Sequence, residues 1–421
     1  MLGSHTARPP PPLRAHCAAA MPAAASLDPA TSSRAALDRL ERVLNARDLA
    51  EACPHLVAPG RLFRSANPSP ASAADVLLLR RDLRITHMLD FRSAEEQRED
   101  RGWPLVLAHG TIRSYDGAGR LVEVAVDGHA ALAAALGGAE LAGCELQRLS
   151  LLEKDRFIWG LLRRLPYLKT AQALGYRLLG WHDAMRDVLV PEVNRGGLPW
   201  VYEILLESAQ ADIRRALELV LAAAQARRPT LIFCKVRRAP AAAWPPRTRA
   251  RSNANPAANR PCPLTTPPCP DLCLQLGKDR TGVMAALLLT CAGASEAEIV
   301  ADYARSDGVD DVALGGLEKM RDMQVGSFVC VGRLRLRRGG EPQRRAARPA
   351  WMLDLTARPA HSSQGMDSQL FSRAPPQAME ALLKYARARY GGLAGYMAGA
   401  GFGEAQQAAL RRALTEGPAW G

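Results

Sequence analysis

Two stretches, 229-PTLIFCKV-236 and 276-LGKDRTGVMAALLLT-290, decide how this chain folds. The first is rich in strand-forming side chains and reads as a buried strand, Thr230 to Cys234, that delivers a cysteine at its end. The second reads as a glycine turn carrying Lys278, Asp279 and Arg280 into an apolar helix, 281-TGVMAALLLTCAG-293, with Gly293 as its C-terminal cap. A strand and a helix joined by a glycine-bearing turn are the two halves of a phosphate-binding loop. Here 45 residues separate Cys234 from Arg280, and most of them lie in a proline- and arginine-rich tract, Val236–Gln275.

Working outward, strands and helices alternate. The patterns predict helices over 34–53, 73–83, 156–169, 175–189, 210–228, 375–392 and 403–414, and strands at 61–69 and 85–93. The stretch 112-IRSYDGAGR-120 reads as a loop. In 295-SEAE-298, Ser295 and Glu298 form a capping box that opens another helix. Alternation of this kind implies an α/β core, and 421 residues with 48% hydrophobic composition suffice to bury a large one. No run of eighteen apolar residues occurs, so no stable membrane insertion is expected.

The formal net charge of +13 suggests an acidic partner until its location is considered. Val236–Gln275 carries +5, and a second tract, Val325–Gln364, carries +6; subtracting both from +13 leaves +2 on the rest of the chain. The body is close to neutral, which removes most of the case for nucleic-acid binding. Of nine cysteines, four lie in these two tracts, and the others show no paired spacing, as expected in a reducing, cytoplasmic compartment. The cluster 262-CPLTTPPCPDLC-273 is irregular and lacks a nearby histidine, so it does not read as a zinc knuckle. Residues 1–35, rich in Ala, Pro and Arg, read as a disordered leader, an organelle transit peptide, or sequence upstream of a start at Met21. A single folded domain is expected over 36–421, with both basic tracts as disordered inserts in it.

With Val236–Gln275 set aside, the loop becomes Cys234-Lys235-Leu276-Gly277-Lys278-Asp279-Arg280-Thr281-Gly282, a cysteine and an arginine with five residues between them. In this form it resembles the signature of cysteine-dependent phosphatases, and GKDRTG is similar to the tyrosine-phosphatase-like group of plants, algae and bacteria. The same group carries an upstream pattern matched by Phe63-Arg64-Ser65 and by Asp90-Phe91-Arg92-Ser93 with Glu95. The resemblance implies a central mixed sheet flanked by helices, and hydrolysis of phosphate monoesters through a phosphocysteine, with no cofactor or metal.

The spacing suits that chemistry. A short loop ending at a helix N-terminus turns backbone N–H groups toward the cysteine, which favours the thiolate and cradles a phosphate dianion. Arg280 closes the ring with its planar fork, Thr281 donates to the departing thiolate, and Gly277 and Gly282 permit close backbone approach. Lys235, Leu276 and Lys278 complete the cradle. Asp90 and Asp279 are the candidate general acids; the competing reading makes Asp90 a structural partner of Arg64 or Arg92. Most members of the group carry His before the cysteine, where this chain has Phe233. Lysines at 235 and 278 resemble the doubly basic loop of phosphatase-and-tensin-homologue-type lipid phosphatases. Phosphoinositide therefore stands beside phosphotyrosine as a substrate, unless Lys278 merely pairs with Asp279.

Both basic tracts begin with Val and end with Gln, residues whose codons can carry intron-boundary dinucleotides, so both read as retained introns. Surface loops tolerate insertion, but a phosphate cradle does not. The chain as written is expected to be inactive and the joined form to be a phosphatase; the alternative is a catalytically dead, phosphate-binding pseudophosphatase.

Overall fold

A computed structural model describes residues 29–98, 110–127, 143–234, 277–307, 367, 370–371 and 373–416. Both basic tracts, Lys235, Leu276 and residues 1–28 lie outside the described residues. Seven strands form one mixed sheet: β1 (Arg47–Asp48), β2 (Leu62–Ala66), β3 (His87–Asp90), β4 (Gly110–Tyr115), β5 (Leu121–Asp127), β6 (Cys144–Arg148) and β7 (Thr230–Cys234). Their order is β1-β2-β7-β3-β6-β4-β5. The inner five run parallel, and β1 and β5 pair antiparallel at the two edges. Parallel strands buried on both faces need near-continuous apolar runs, and TLIFC in β7 supplies one at the centre, between β2 and β3.

Alternation along β7 decides which way the cysteine faces. Leu231 and Phe233 enter one core, with Phe63, Met88 and Leu146. Ile232 and Cys234 enter the larger core on the opposite face. That side is covered by α6 (His182–Ser208), α7 (Gln210–Gln225) and α8 (Arg280–Ala292), together with α9 (Glu296–Ala304), α10 (Pro376–Tyr390), α11 (Leu393–Gly399) and α12 (Glu404–Thr415). α8 is buried at every position but Thr290; a helix apolar on all sides belongs in the middle of a layer. The other face carries α1 (Pro29–Leu37) and α2 (Ala73–Leu77), and α3 (Ala94–Arg98) follows β3.

Several expectations shift at their boundaries for local reasons. The helix expected over 34–53 ends at Leu37; the chain then passes Asn45 at φ 54° and sends Arg47 inward to Asp302 at 2.8 Å. Pro166 and Gly180 (φ 69°) divide the next helical region into α4 (Lys154–Leu162), α5 (Tyr167–Leu178) and α6. The 112–120 loop is in fact a β4–β5 hairpin, its turn held by Asp116 accepting from the backbone N–H groups of Ala118 and Arg120. α6 itself bends at Gly197 (φ 60°, ψ −160°). Its first half packs with α4 and α5 in a small separate core of Ile158, Leu162, Leu165, Ala173, Met185 and Leu189, and its second half enters the main core.

Candidate active site

The C-terminal ends of β2, β7 and β3 lie side by side, the position where open parallel sheets place their ligands. Cys234 ends β7, paired in register with Ala66 of β2, and Asp90 of β3 is paired with Phe233. Although 42 residues intervene in the chain, Gly277 returns to this same spot. A Cβ on Gly277 would sit 2.1 Å from the Ser65 carbonyl oxygen and 2.7 Å from the Ala66 Cα. Its φ of +65° and this approach both require glycine. Arg280 then opens α8, so Cys234, Gly277 and the helix N-terminus converge as the joined loop requires.

The loop is anchored from β2. Arg64, completely buried, donates through Nη2 to the Gly277 carbonyl at 3.0 Å and through Nη1 to Asp302 at 2.5 Å. Asp302 also accepts from Arg47 Nε at 2.8 Å. Burial alone would raise the Asp302 pKa, but Arg64 and Arg47 outweigh it and hold the carboxyl at about 2. Asp302 was not legible as a site residue, though one signal exists: Ile299, Asp302 and Tyr303 share a face of α9 that is otherwise apolar.

Arg280 is fixed by Glu96, a residue the sequence reading did not assign. Its Nη1 and Nη2 donate to Glu96 at 2.5 and 2.9 Å, and Nη1 also reaches the Phe91 carbonyl at 3.2 Å. Glu95, which the upstream pattern singled out, is exposed. Glu96 is the N3 residue of a capping box: Oε2 accepts from the Ser93 N–H at 2.7 Å, and Ser93 Oγ accepts from the Glu96 N–H at 3.3 Å. The spacing Ser93…Glu96 repeats that of Ser295…Glu298 and would have located it. Burial works against the Arg280 charge; Glu96 overcomes this and raises the pKa, with the Cys234 sulfur and Asp90 adding to it. The fork expected to grip phosphate thus faces Glu96, while Arg280 Nε and Thr281 Oγ1 are buried without a hydrogen-bond partner among the described residues.

The two candidate acids sit differently. Asp90 is completely buried and chelated by Arg92, whose Nε donates to its two oxygens at 2.9 and 3.2 Å and whose Nη2 donates at 2.9 Å. The Arg92 guanidinium also lies 5.9 Å from the Phe233 ring centroid. Asp279, in the loop, accepts from Lys278 Nζ at 2.8 Å and from the Tyr202 hydroxyl at 2.5 Å. Tyr202 is in turn hydrogen-bonded to Tyr303 at 2.6 Å, and the Tyr303 ring packs against Gly282. Burial first, and then Asp279, push the Tyr202 phenol far above its ordinary pKa, so it remains a donor. Nothing near Tyr202 in the sequence announces this contact.

Of the two readings of Lys278, the structure follows the one in which it pairs with Asp279: it is 0% exposed and turned inward onto that carboxylate. Lys235 lies outside the described residues. The phosphoinositide reading therefore gains nothing from Lys278 in this arrangement.

Comparison with known proteins agrees with this geometry. No curated protein matches the chain significantly. The family model described as the tyrosine phosphatase family matches residues 39–236 and 273–416. The break between these segments falls within Val236–Gln275, whereas Val325–Gln364 lies inside the second matched segment. A cysteine at the end of a central strand, an arginine at the helix start and a family match on both sides of the interruption lead to one conclusion: this chain belongs to the tyrosine phosphatase family.

Proposed function

We propose that the protein hydrolyses phosphate monoesters through a phosphocysteine on Cys234, and that the working enzyme lacks Val236–Gln275. The observation that carries this reading is the convergence of Cys234, Gly277 and Arg280 despite the 42 residues between the first two. In the joined chain the five-residue loop closes over that convergence. Its N–H groups and the first turn of α8 cradle the phosphoryl oxygens. Arg280, oriented by Glu96, donates through its unpaired Nε.

The thiolate attacks phosphorus in line, the bond to the leaving oxygen breaks, and Asp279 supplies the proton that oxygen takes. Water then attacks the phosphocysteine and gives its proton to Asp279, the P–S bond breaks, and Thr281 Oγ1 donates to the departing thiolate. Asp279 is preferred over Asp90 because it stands in the phosphate loop itself, beside Arg280, whereas Asp90 ends β3 with both oxygens held by Arg92. Phosphotyrosine and phosphoinositide both remain candidate substrates.

As written, the chain places 45 residues where five must hold phosphate, so it is expected to be inactive, as a retained intron would make it. The test is expression of the form lacking both basic tracts. It should show vanadate-sensitive phosphatase activity, lost in Cys234→Ser, with a phosphocysteine trapped on rapid quench. Absence of activity in the shortened form, with vanadate still bound, would favour the pseudophosphatase reading. Transcripts that all retain both tracts would refute the intron assignment.

A further inference from the structure

We propose that α5 is a docking face for an anionic lipid surface. α5 is an inverted amphipathic helix. Three of its polar side chains reach back to neighbouring elements: Lys169 pairs with Glu192, Arg177 with Asp155 at 3.1 Å, and Thr170 Oγ1 donates to the Leu162 carbonyl at 3.0 Å. Tyr167, Leu168, Leu178 and Leu179 turn outward and are 84%, 80%, 88% and 60% exposed. At 3.6 residues per turn these four fall within about 120° of arc, on a face about 18 Å long. Only Ala171 and Gly175 lie between them on that face, so the stripe is continuous and uncharged. It stands on the arm whose small core is separate from the main one.

An apolar helical face of this size in contact with water marks an interaction site, and charge selects the occupant. Residues 153–197 hold eight Lys or Arg against five Asp or Glu, a net of +3; removing that from the +2 outside the basic tracts leaves −1 on the remaining body. The basic character of the body is thus confined to this arm. A second copy of the chain would bring like charge against like, which disfavours self-association. Anionic headgroups are attracted by the net positive charge of the arm while the leucines enter the acyl boundary. Trp159, 46% exposed on α4, adds an aromatic of the kind that settles at such interfaces. No described helix is long and apolar enough to cross a membrane, so the contact is peripheral. The proposal deepens the phosphatase reading, and rests on it only for the consequence that the substrate is a phosphomonoester on a lipid headgroup.

The test is co-sedimentation of the full chain with phosphatidylcholine vesicles, with and without phosphatidylserine, at physiological salt, where purely ionic binding is screened. The wild type should bind the phosphatidylserine vesicles. The double variants Leu168→Glu/Leu178→Glu and Leu168→Gln/Leu178→Gln should each bind about tenfold more weakly or worse. Their circular dichroism should be unchanged, because both positions are exposed. All three proteins carry the same basic tracts, so the difference reports α5. Equal binding by all three overturns the proposal. So does a wild-type dimer that the variants dissolve while vesicle binding is unchanged, which would make the face a self-association surface. Binding is read without turnover, which separates the two readings. Vanadate-sensitive hydrolysis of a soluble phosphomonoester by the shortened form, without vesicle binding by the full chain, defeats the docking face alone; binding without hydrolysis defeats the phosphatase reading alone.

Discussion

Replacing Asp302 by Asn removes one negative charge from between two buried arginines. Asp302 accepts from Arg47 Nε at 2.8 Å and Arg64 Nη1 at 2.5 Å, and its backbone carbonyl accepts from Arg47 Nη2 at 2.6 Å. Asn retains the shape and one acceptor oxygen but leaves two nearly inaccessible guanidinium groups without their counter-charge. Breaking a buried pair in this way costs about 3–5 kcal/mol, a large share of the roughly 5–15 kcal/mol that holds a domain together. The assay is urea unfolding of the full chain at neutral pH, with the midpoint shifted and the slope unchanged. A loss below about 1 kcal/mol, the range of exposed pairs, would refute the premise that this cluster anchors the loop. The pH dependence gives a second check. Asp302 is depressed from 3.8 to about 2, so its contribution is complete above 3.8 and disappears as pH falls through about 2. Wild type and variant should therefore converge in strong acid, where both are neutral at this position.

Gly277→Ala places a Cβ against the Ser65 carbonyl at positive φ, where backbone must move; a destabilisation of about 2–4 kcal/mol is expected in denaturant titration. Glu96→Gln in the form without the basic tracts should lower kcat/KM on a soluble phosphomonoester by about 10–100-fold, since a misaligned Arg280 no longer meets the phosphoryl group. Tyr202→Phe should shift the pH profile of kcat by removing one donor from Asp279, with stability reduced by about 1–3 kcal/mol in thermal unfolding. Burial first, and then Arg228, lower the His87 pKa from 6.5 to about 4. Its neutral form therefore stabilises the fold fully above pH 6.5, and this is lost as pH falls toward 4. His87→Gln should flatten the stability curve across that window.

What could be read locally was read well. The β7 strand, the GKDRTG turn, the apolar α8 and the Ser295–Glu298 capping box all declare themselves within a dozen residues, because strand alternation, helical period and capping are short-range effects. The interruption was equally visible, as a change of composition at Val236 and Gln275. Errors arose where a nearby cue was overridden. Glu96 goes unread although its spacing from Ser93 marks a capping box, and the helix expected over 34–53 ends at Leu37, ahead of the strand whose Arg47 pairs with Asp302.

By itself the sequence determined the chemistry on offer: a cysteine ending a buried strand, an arginine opening a helix, glycines between, and a near-neutral body once the basic tracts are subtracted. Only the tertiary structure decided which side chains orient that chemistry. Glu96 reaches Arg280 across 184 positions, Asp302 reaches Arg64 across 238, and Tyr202 reaches Asp279 across 77. A charged group taken out of water requires a partner, but any carboxylate or hydroxyl that the fold brings near will satisfy it. Sequence spacing carries no information about which one arrives; the packing of α3, α6 and α9 around the ends of the strands does.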